Sequence, residues 1–199
     1  MQSILDIINS DNSILKEELQ QLESNVQIKN VTKGQILQFK GEVSDKSYFV
    51  KSGLLRSYSI DENCKEHIFM FAPEGWIIFD FVSQTYNTPS ELVIEAIEDS
   101  ELEILNKELF DNLLSKSSKF TLSDTEKLTK RIAVLQKRVI MLMSATAWER
   151  YQDFLDTYPD ILLRVPQKMI ASYLGITPEA LSNLRGNMSK KKSNGPSFS

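Results

Sequence analysis

Thr177, Glu179, Ser182, Asn183 and Arg185 crowd one short stretch near the C-terminal end of the chain. Hydroxyl, carboxylate, amide and guanidinium groups of this kind hydrogen-bond base edges in a major groove. Their chemistry is recognition rather than bond breaking. The neighbouring residues predict how they are held. Pro166 suits the first position of a helix, where its missing N–H costs nothing. Ile170, Ala171 and Leu174 then form an apolar stripe at helical spacing. Gly175 ends that helix in the left-handed conformation a sharp turn needs. Thr177 is an N-cap for a second helix, Pro178 its first residue, and Glu179 sits at its positive end. Ala180, Leu181 and Leu184 face back onto the first helix, which leaves Glu179, Ser182, Asn183 and Arg185 outward. This is a helix-turn-helix pattern. A plain helical hairpin with good caps fits the same residues.

Catalysis lacks its residues. His67 is the only histidine and Cys64 the only cysteine. A Cys/His zinc site or an iron–sulfur cluster therefore has too few ligands, and no internal disulfide can form. No Ser/His/Asp set or phosphate-cradling glycine loop occurs, and a metal-dependent cupin-like enzyme would need more histidines. No enzyme and no cofactor is expected. The pair Cys64 and His67 reads as part of a hairpin.

The 199 residues are 41% hydrophobic, enough for a core. No apolar run reaches the roughly 18 residues of a membrane span. Residues 1–24 show neither a basic start nor an apolar block of signal-peptide type. A cytoplasmic protein with no membrane partner is expected. The net charge of −4 hides an asymmetry: from Lys137 onward nine Lys/Arg face five Asp/Glu. A basic end on an acidic body suits a nucleic-acid-contacting domain attached to one that does not touch it.

Residues 3–22 carry an amphipathic helical pattern, interrupted near Ser10–Asn12. Short β-branched and aromatic segments follow at Val26–Val31, Gln35–Phe39, Ser47–Lys51, Leu54–Ile60, Glu66–Phe71, Glu91–Ala96 and Glu101–Leu105. Turn residues such as Lys33-Gly34, Ser52-Gly53 and Pro73-Glu74-Gly75 separate them, as in a small antiparallel barrel or sandwich. A polar patch at Ser115–Lys119 precedes a long helix. In it Leu128, Ile132, Leu135, Val139 and Leu142 step by 4, 3, 4 and 3, the a/d seam of a coiled coil. Two copies would meet along this seam, although a helix packed on its own barrel also fits. Residues 146–157 continue as helix until Tyr158-Pro159.

This order of parts resembles the Crp/Fnr family of bacterial transcription regulators over essentially the whole chain. Lys33-Gly34-Gln35, Gly41-Glu42 and Tyr48-Phe49-Val50-Lys51-Ser52-Gly53 resemble the family's cyclic-nucleotide-binding β-roll. Glu149-Arg150-Tyr151, Arg164-Val165-Pro166-Gln167 and Leu174-Gly175-Ile176-Thr177-Pro178-Glu179 are similar to its Bacteroidota-type members. The resemblance implies an α+β chain with four parts. These are a β-roll with an N-terminal helix over 1–118, a dimerisation helix over 119–144, a helix-turn-helix domain over 145–192 and a flexible tail over 193–199. It implies homodimers on near-palindromic double-stranded DNA, with recognition helices about 34 Å apart, and RNA polymerase as a partner. Gln167 and Lys168 would touch phosphate, and Glu179 would accept from a cytosine amine. Asn183 stands where an arginine is usual, and Gly186 is expected to end the helix. Those departures leave open a ligand-binding or interaction module whose helix-turn-helix no longer reads DNA.

Relatives that bind cyclic nucleotides place a Gly-Glu pair on the ribose and an Arg-Ser or Arg-Thr pair on the phosphate. Here Gly75-Trp76 and Ser90-Glu91 fall in those regions, and these four are the candidate pocket residues. From Glu66 to Asn106 there are nine acids and no Lys or Arg. A desolvated phosphate needs a paired cation, so cyclic AMP is not the expected effector, and none other is indicated. Arg56 on a neighbouring strand is the nearest candidate cation. Trp76, Phe79, Phe81 and Tyr86 fit either an apolar pocket or core.

Overall fold

A computed structural model describes residues 3–9, 14, 16–116 and 124–193, with side chains except at 8, 18, 113–116, 124–132 and 188–193. The expected interruption at Ser10–Asn12, most of the patch Ser115–Lys119 and the tail beyond 193 lie outside the described residues. Two compact units divide the chain, 1–130 and 131–199.

Among the described residues, eight antiparallel strands build the first unit: β1 (Gln27–Val31), β2 (Ile36–Gln38), β3 (Lys46–Ser52), β4 (Leu55–Ile60), β5 (Glu66–Ala72), β6 (Ile77–Ile78), β7 (Val93–Ala96) and β8 (Ser100–Asn106). They form two four-stranded sheets, ordered β1-β8-β3-β6 and β2-β7-β4-β5. Inner faces of both sheets supply one core, with Val31, Tyr48, Val50, Ile78, Leu102 and Ile104 from the first and Leu55, Ala72, Ile94 and Ala96 from the second. Strand alternation sends the next residues to the other face. Phe49 and Leu105 thus join a separate cluster with Ile4, Leu5, Ile14, Leu22, Leu109 and Phe110. These belong largely to α1 (Ile4–Ile8), α2 (Lys16–Glu23) and α4 (Lys107–Lys116). Glu103 is buried among them and accepts from the Ile4 amide at 2.8 Å and the Ser3 hydroxyl at 3.0 Å.

Gly53 turns β3 into β4 at φ 92°, and a Cβ there would overlap the Ser100 hydroxyl. No other residue fits both conditions. Between β6 and β7 the short helix α3 (Phe81–Tyr86) is capped by Asp80. The aromatic residues of this region divide. Phe79 packs on the outer cluster, its ring 5.2 Å from that of Phe110, whereas Trp76, Phe81 and Tyr86 are exposed.

The second unit begins within the long helix α5 (Asp124–Ser144) and continues with α6 (Ala147–Thr157), a 3₁₀ turn (Ile161–Leu163), α7 (Gln167–Leu174) and α8 (Pro178–Ser193). Thr146 and Glu149 cap α6 reciprocally: the hydroxyl accepts from the Glu149 amide and the carboxylate from the Thr146 amide at 2.7 Å. The rings of Phe154, Tyr158 and Tyr173 meet pairwise at 5.3–5.6 Å and fill the centre with Ile161, Val165, Ile170 and Leu174. Pro166 stands at the cap of α7 rather than at its first helical position. α8 does not end at Gly186 but runs on to Ser193, because a helical glycine costs only about 1 kcal/mol.

Candidate nucleic-acid interface and effector region

α7 and α8 meet at Gly175, which adopts φ 67° and closes α7 by donating to the Ser172 carbonyl at 3.1 Å. Thr177 caps α8, its hydroxyl accepting from the Ala180 amide at 3.2 Å. Leu181 is fully buried and Leu184 half-buried, so one side of α8 is fixed against the unit. At about 100° per residue, Glu179, Ser182, Asn183 and Gly186 share the opposite side, and all four are exposed. Arg185 is exposed too, but lies on the flank of that stripe. Gln167 and Lys168 are exposed on the first turn of α7. The Glu179 carboxyl is held below the usual range by its own backbone amide and by the Thr177 hydroxyl, so it is anionic at neutral pH. The stripe therefore offers one anionic acceptor, a hydroxyl and an amide, with a cation beside it.

In the first unit, the candidate pocket residues fall into two hydrogen-bonded sets. Gly75 and Trp76 form the β5–β6 turn: the Gly75 amide donates to the Val50 carbonyl at 2.8 Å, and the Trp76 carbonyl accepts from Val50 at 2.9 Å. Ser90 is buried elsewhere. Its backbone exchanges bonds with Gly41 (2.7 Å) and Glu42 (2.8 Å), and its hydroxyl donates to Asp80 at 2.6 Å and accepts from the Gln38 amide at 2.7 Å. Asp80 is itself buried and accepts from the Ser83 amide at 3.0 Å as the α3 cap. Glu91 is exposed and pairs with Lys40 at 3.0 Å, a surface pair of little energetic weight.

Arg56 is committed. It is 4% exposed, with Nε and Nη2 on Glu95 at 3.2 and 2.7 Å and Nη1 on Glu66 at 2.5 Å. Its guanidinium lies 4.1 Å over the Tyr58 ring. Burial, with Glu95 nearby, pushes the Tyr58 phenol up to about 12. With two carboxylates on one guanidinium, the local balance is already negative, and Arg56 has no charge left for a phosphate.

Residues 28–117 match the family model of the cyclic nucleotide-binding domain. The anaerobic regulatory protein of Haemophilus influenzae is 26% identical over 188 residues, covering 88% of this chain and 72% of that one. The fumarate and nitrate reduction regulatory protein of Vibrio cholerae is 27% identical over 190 residues, covering 89% and 75%. The fold is similar to FixK2 from Bradyrhizobium japonicum, at TM-score 0.70 and 19% identity over 87% of this chain and 89% of that one. It is also similar to a transcriptional regulator of the CRP/FNR family from Thermus thermophilus, at TM-score 0.63 and 16% identity over 86% and 90%. The chain has the CRP-like fold, and part of it matches the cyclic nucleotide-binding domain.

The buried carboxylate of the β-roll is a residue that motif reading passes over. The acid near the glycine turn is Asp80, not the residue that follows Gly75. Its signal was present as a cap, an aspartate three positions before Ser83. Gln38 carries no such signal, since its partner Ser90 lies far away in sequence. No described helix is long and apolar enough to cross a membrane. Among the described residues, no cluster of His, Cys, Asp or Glu could hold a metal ion.

Proposed function

We propose that the protein binds near-palindromic DNA as a homodimer, through residues 166–188, and that cyclic AMP does not control it. The exposed stripe Glu179, Ser182 and Asn183 carries the DNA reading, on a helix whose back is fixed by Leu181. Glu179 would accept from a cytosine amine, Ser182 and Asn183 would face base edges, and Gln167, Lys168 and Arg185 would hold phosphate. Thr177 serves as the cap that aims the helix.

The dimer reading rests on α5. Leu135, Val139 and Leu142 are 52, 53 and 45% exposed in the single chain, an uncovered apolar seam that a second copy would close. Leu128 and Ile132 continue it in sequence, and their side chains lie outside the described ones. The proposed parts are the roll over 1–118, the dimer helix over 119–144 and the DNA-binding domain over 145–192.

For the effector, the supporting observation is the closed set Gln38, Ser90 and Asp80 with no cation in it. A phosphate would meet a buried carboxylate there instead of an arginine. The motifs from Glu149 to Glu179 support a Bacteroidota-type member of the Crp/Fnr family, and a cytoplasmic regulator with RNA polymerase as a partner goes with that reading.

Selection of bound sequences from a random duplex library, with purified full-length protein at near-physiological salt and with or without cyclic AMP, tests this. A near-palindromic motif enriched equally in both arms is the expected result. Enrichment only with cyclic AMP overturns the effector reading. No enrichment in either arm favours an interaction module instead.

A further inference from the structure

Arg138 projects from the last turns of α5 onto α7. Its Nη2 donates to the backbone carbonyl of Tyr173 at 3.2 Å, and its guanidinium carbon lies 3.9 Å above the Tyr173 ring. That carbonyl belongs to the last turn of α7, where backbone acceptors lack helical partners and a cation is favoured. Tyr173 stands just before Gly175, the turn from which α8 departs. Its ring is wedged between Phe154 and Tyr158 at 5.3 and 5.6 Å, so it is not free to follow a drifting arginine. Beside this contact, Lys137 pairs with Asp153 of α6 at 2.6 Å. The Leu142 side chain and Arg150 Nη1 both come within 3.6 Å of a Cβ built on Gly175.

A planar group held by its face on a ring and by its edge on a carbonyl is fixed in rotation as well as in distance. Lysine offers a point charge and cannot reproduce both. We propose that Arg138 is a positioning residue: it sets the angle between α5 and the recognition helix α8, and thereby the half-site spacing that the dimer accepts. The proposal rests on the dimeric DNA-binding reading above. Given that reading, α5 is the element shared along the two-fold axis, and α8 is the element that meets the groove. One base pair added between half-sites moves the second by about 3.4 Å and turns it by about 35°. Spacing therefore reads the α5–α8 angle directly.

The test uses full-length wild type, Arg138→Ala and Arg138→Lys on the motif selected above, with the central spacer varied by one and two base pairs. Wild type is expected to accept one spacing. Both variants are expected to lose about three- to tenfold affinity at that spacing and to gain relative affinity at its neighbours. The slope of log affinity against log salt should stay the same, because Arg138 bonds within its own unit and not to phosphate. Arg138→Lys keeps the charge and stem, so it remains informative if the alanine variant fails to fold. Equal losses at every spacing would mean a merely structural contact, and a shallower salt slope would mean a phosphate contact; either result overturns the proposal. A wild type that enriches no motif overturns the DNA reading and this proposal with it. A strict wild type with equally strict variants overturns this proposal alone.

Discussion

Gly186→Ala is expected to stabilise the protein and weaken its binding to DNA. α8 continues through Gly186 to Ser193, so the glycine is a helix-interior residue. A Cβ built there meets nothing within 4 Å, and its φ lies outside the left-handed range. Nothing in the chain therefore requires a glycine, and alanine should gain the propensity difference of about 1 kcal/mol. For a unit of this size that raises the melting temperature by about 4–8 °C. Gly186 also lies at the middle of the exposed stripe, one helical turn beyond Ser182 and Asn183. A methyl group placed where a duplex comes close costs what overpacking costs, about 1–3 kcal/mol, or roughly tenfold and more in affinity. Thermal denaturation of the full chain and fluorescence anisotropy on the selected site measure the two arms separately. A melting temperature that stays level or falls would refute a continuous helix through 186. A higher melting temperature with unchanged affinity would refute placement of this face in the groove.

Glu95→Ala should cost about 3–5 kcal/mol, because it strips two bonds from a buried guanidinium. Glu66→Ala should cost clearly less, since that side chain is 42% exposed and water can replace it. Equal denaturation midpoints for the two variants would contradict this ranking. Thr146→Ala should remove about 1 kcal/mol through loss of the α6 cap. The Thr146 amide and hydroxyl hold the Glu149 carboxyl below its ordinary 4.5. A depressed folded value means that this contribution is present above about pH 4.5 and fades as the pH falls through the folded value. Glu149→Gln should thus flatten the acid side of the stability curve and leave the neutral region without pH dependence from this site. An unchanged acid slope would count against the cap.

What could be read from the residues was local. Gly175, Thr177 and Pro178 each punctuate the chain, so the turn between α7 and α8 was legible within a residue or so, whereas the end of α8, expected at Gly186, lies at Ser193. The longer strands were legible for the same reason, their β-branched runs being bounded by Gly53, Gly75 and the Asp61–Asn63 turn. Ile77–Ile78 is too short to show a period, and α3 hides behind Phe79, Phe81 and Val82, whose bulk reads as strand or core. Phe81 and Tyr86 are in fact 43 and 70% exposed, which no alternation pattern announces. The site was least legible where it is made by distant partners. Ser90 looks like a loop serine until Gln38 and Asp80 stand beside it. Arg138 looks like a solvated helix residue until Tyr173 lies under it.

The two units handle charge in opposite ways, and that contrast supports assigning them different partners. In the β-roll, Arg56, the one deeply buried cation among the described residues, is consumed by Glu95 and Glu66, and the Ser90 hydroxyl already points its proton at Asp80. An anion brought to Ser90 would stand about 5 Å from that carboxylate, a repulsion of about 3 kcal/mol at an effective dielectric near 20. A phosphate has nothing there to offset it. On α8 Glu179, Ser182 and Asn183 are left outward, Glu179 held by its own amide and the Thr177 hydroxyl, while Lys168 and Arg185 stand exposed in the same unit. A polyanionic duplex would meet donors and cations on that surface. The roll keeps the architecture of a nucleotide domain with its electrostatics closed, and the helical unit keeps its electrostatics open.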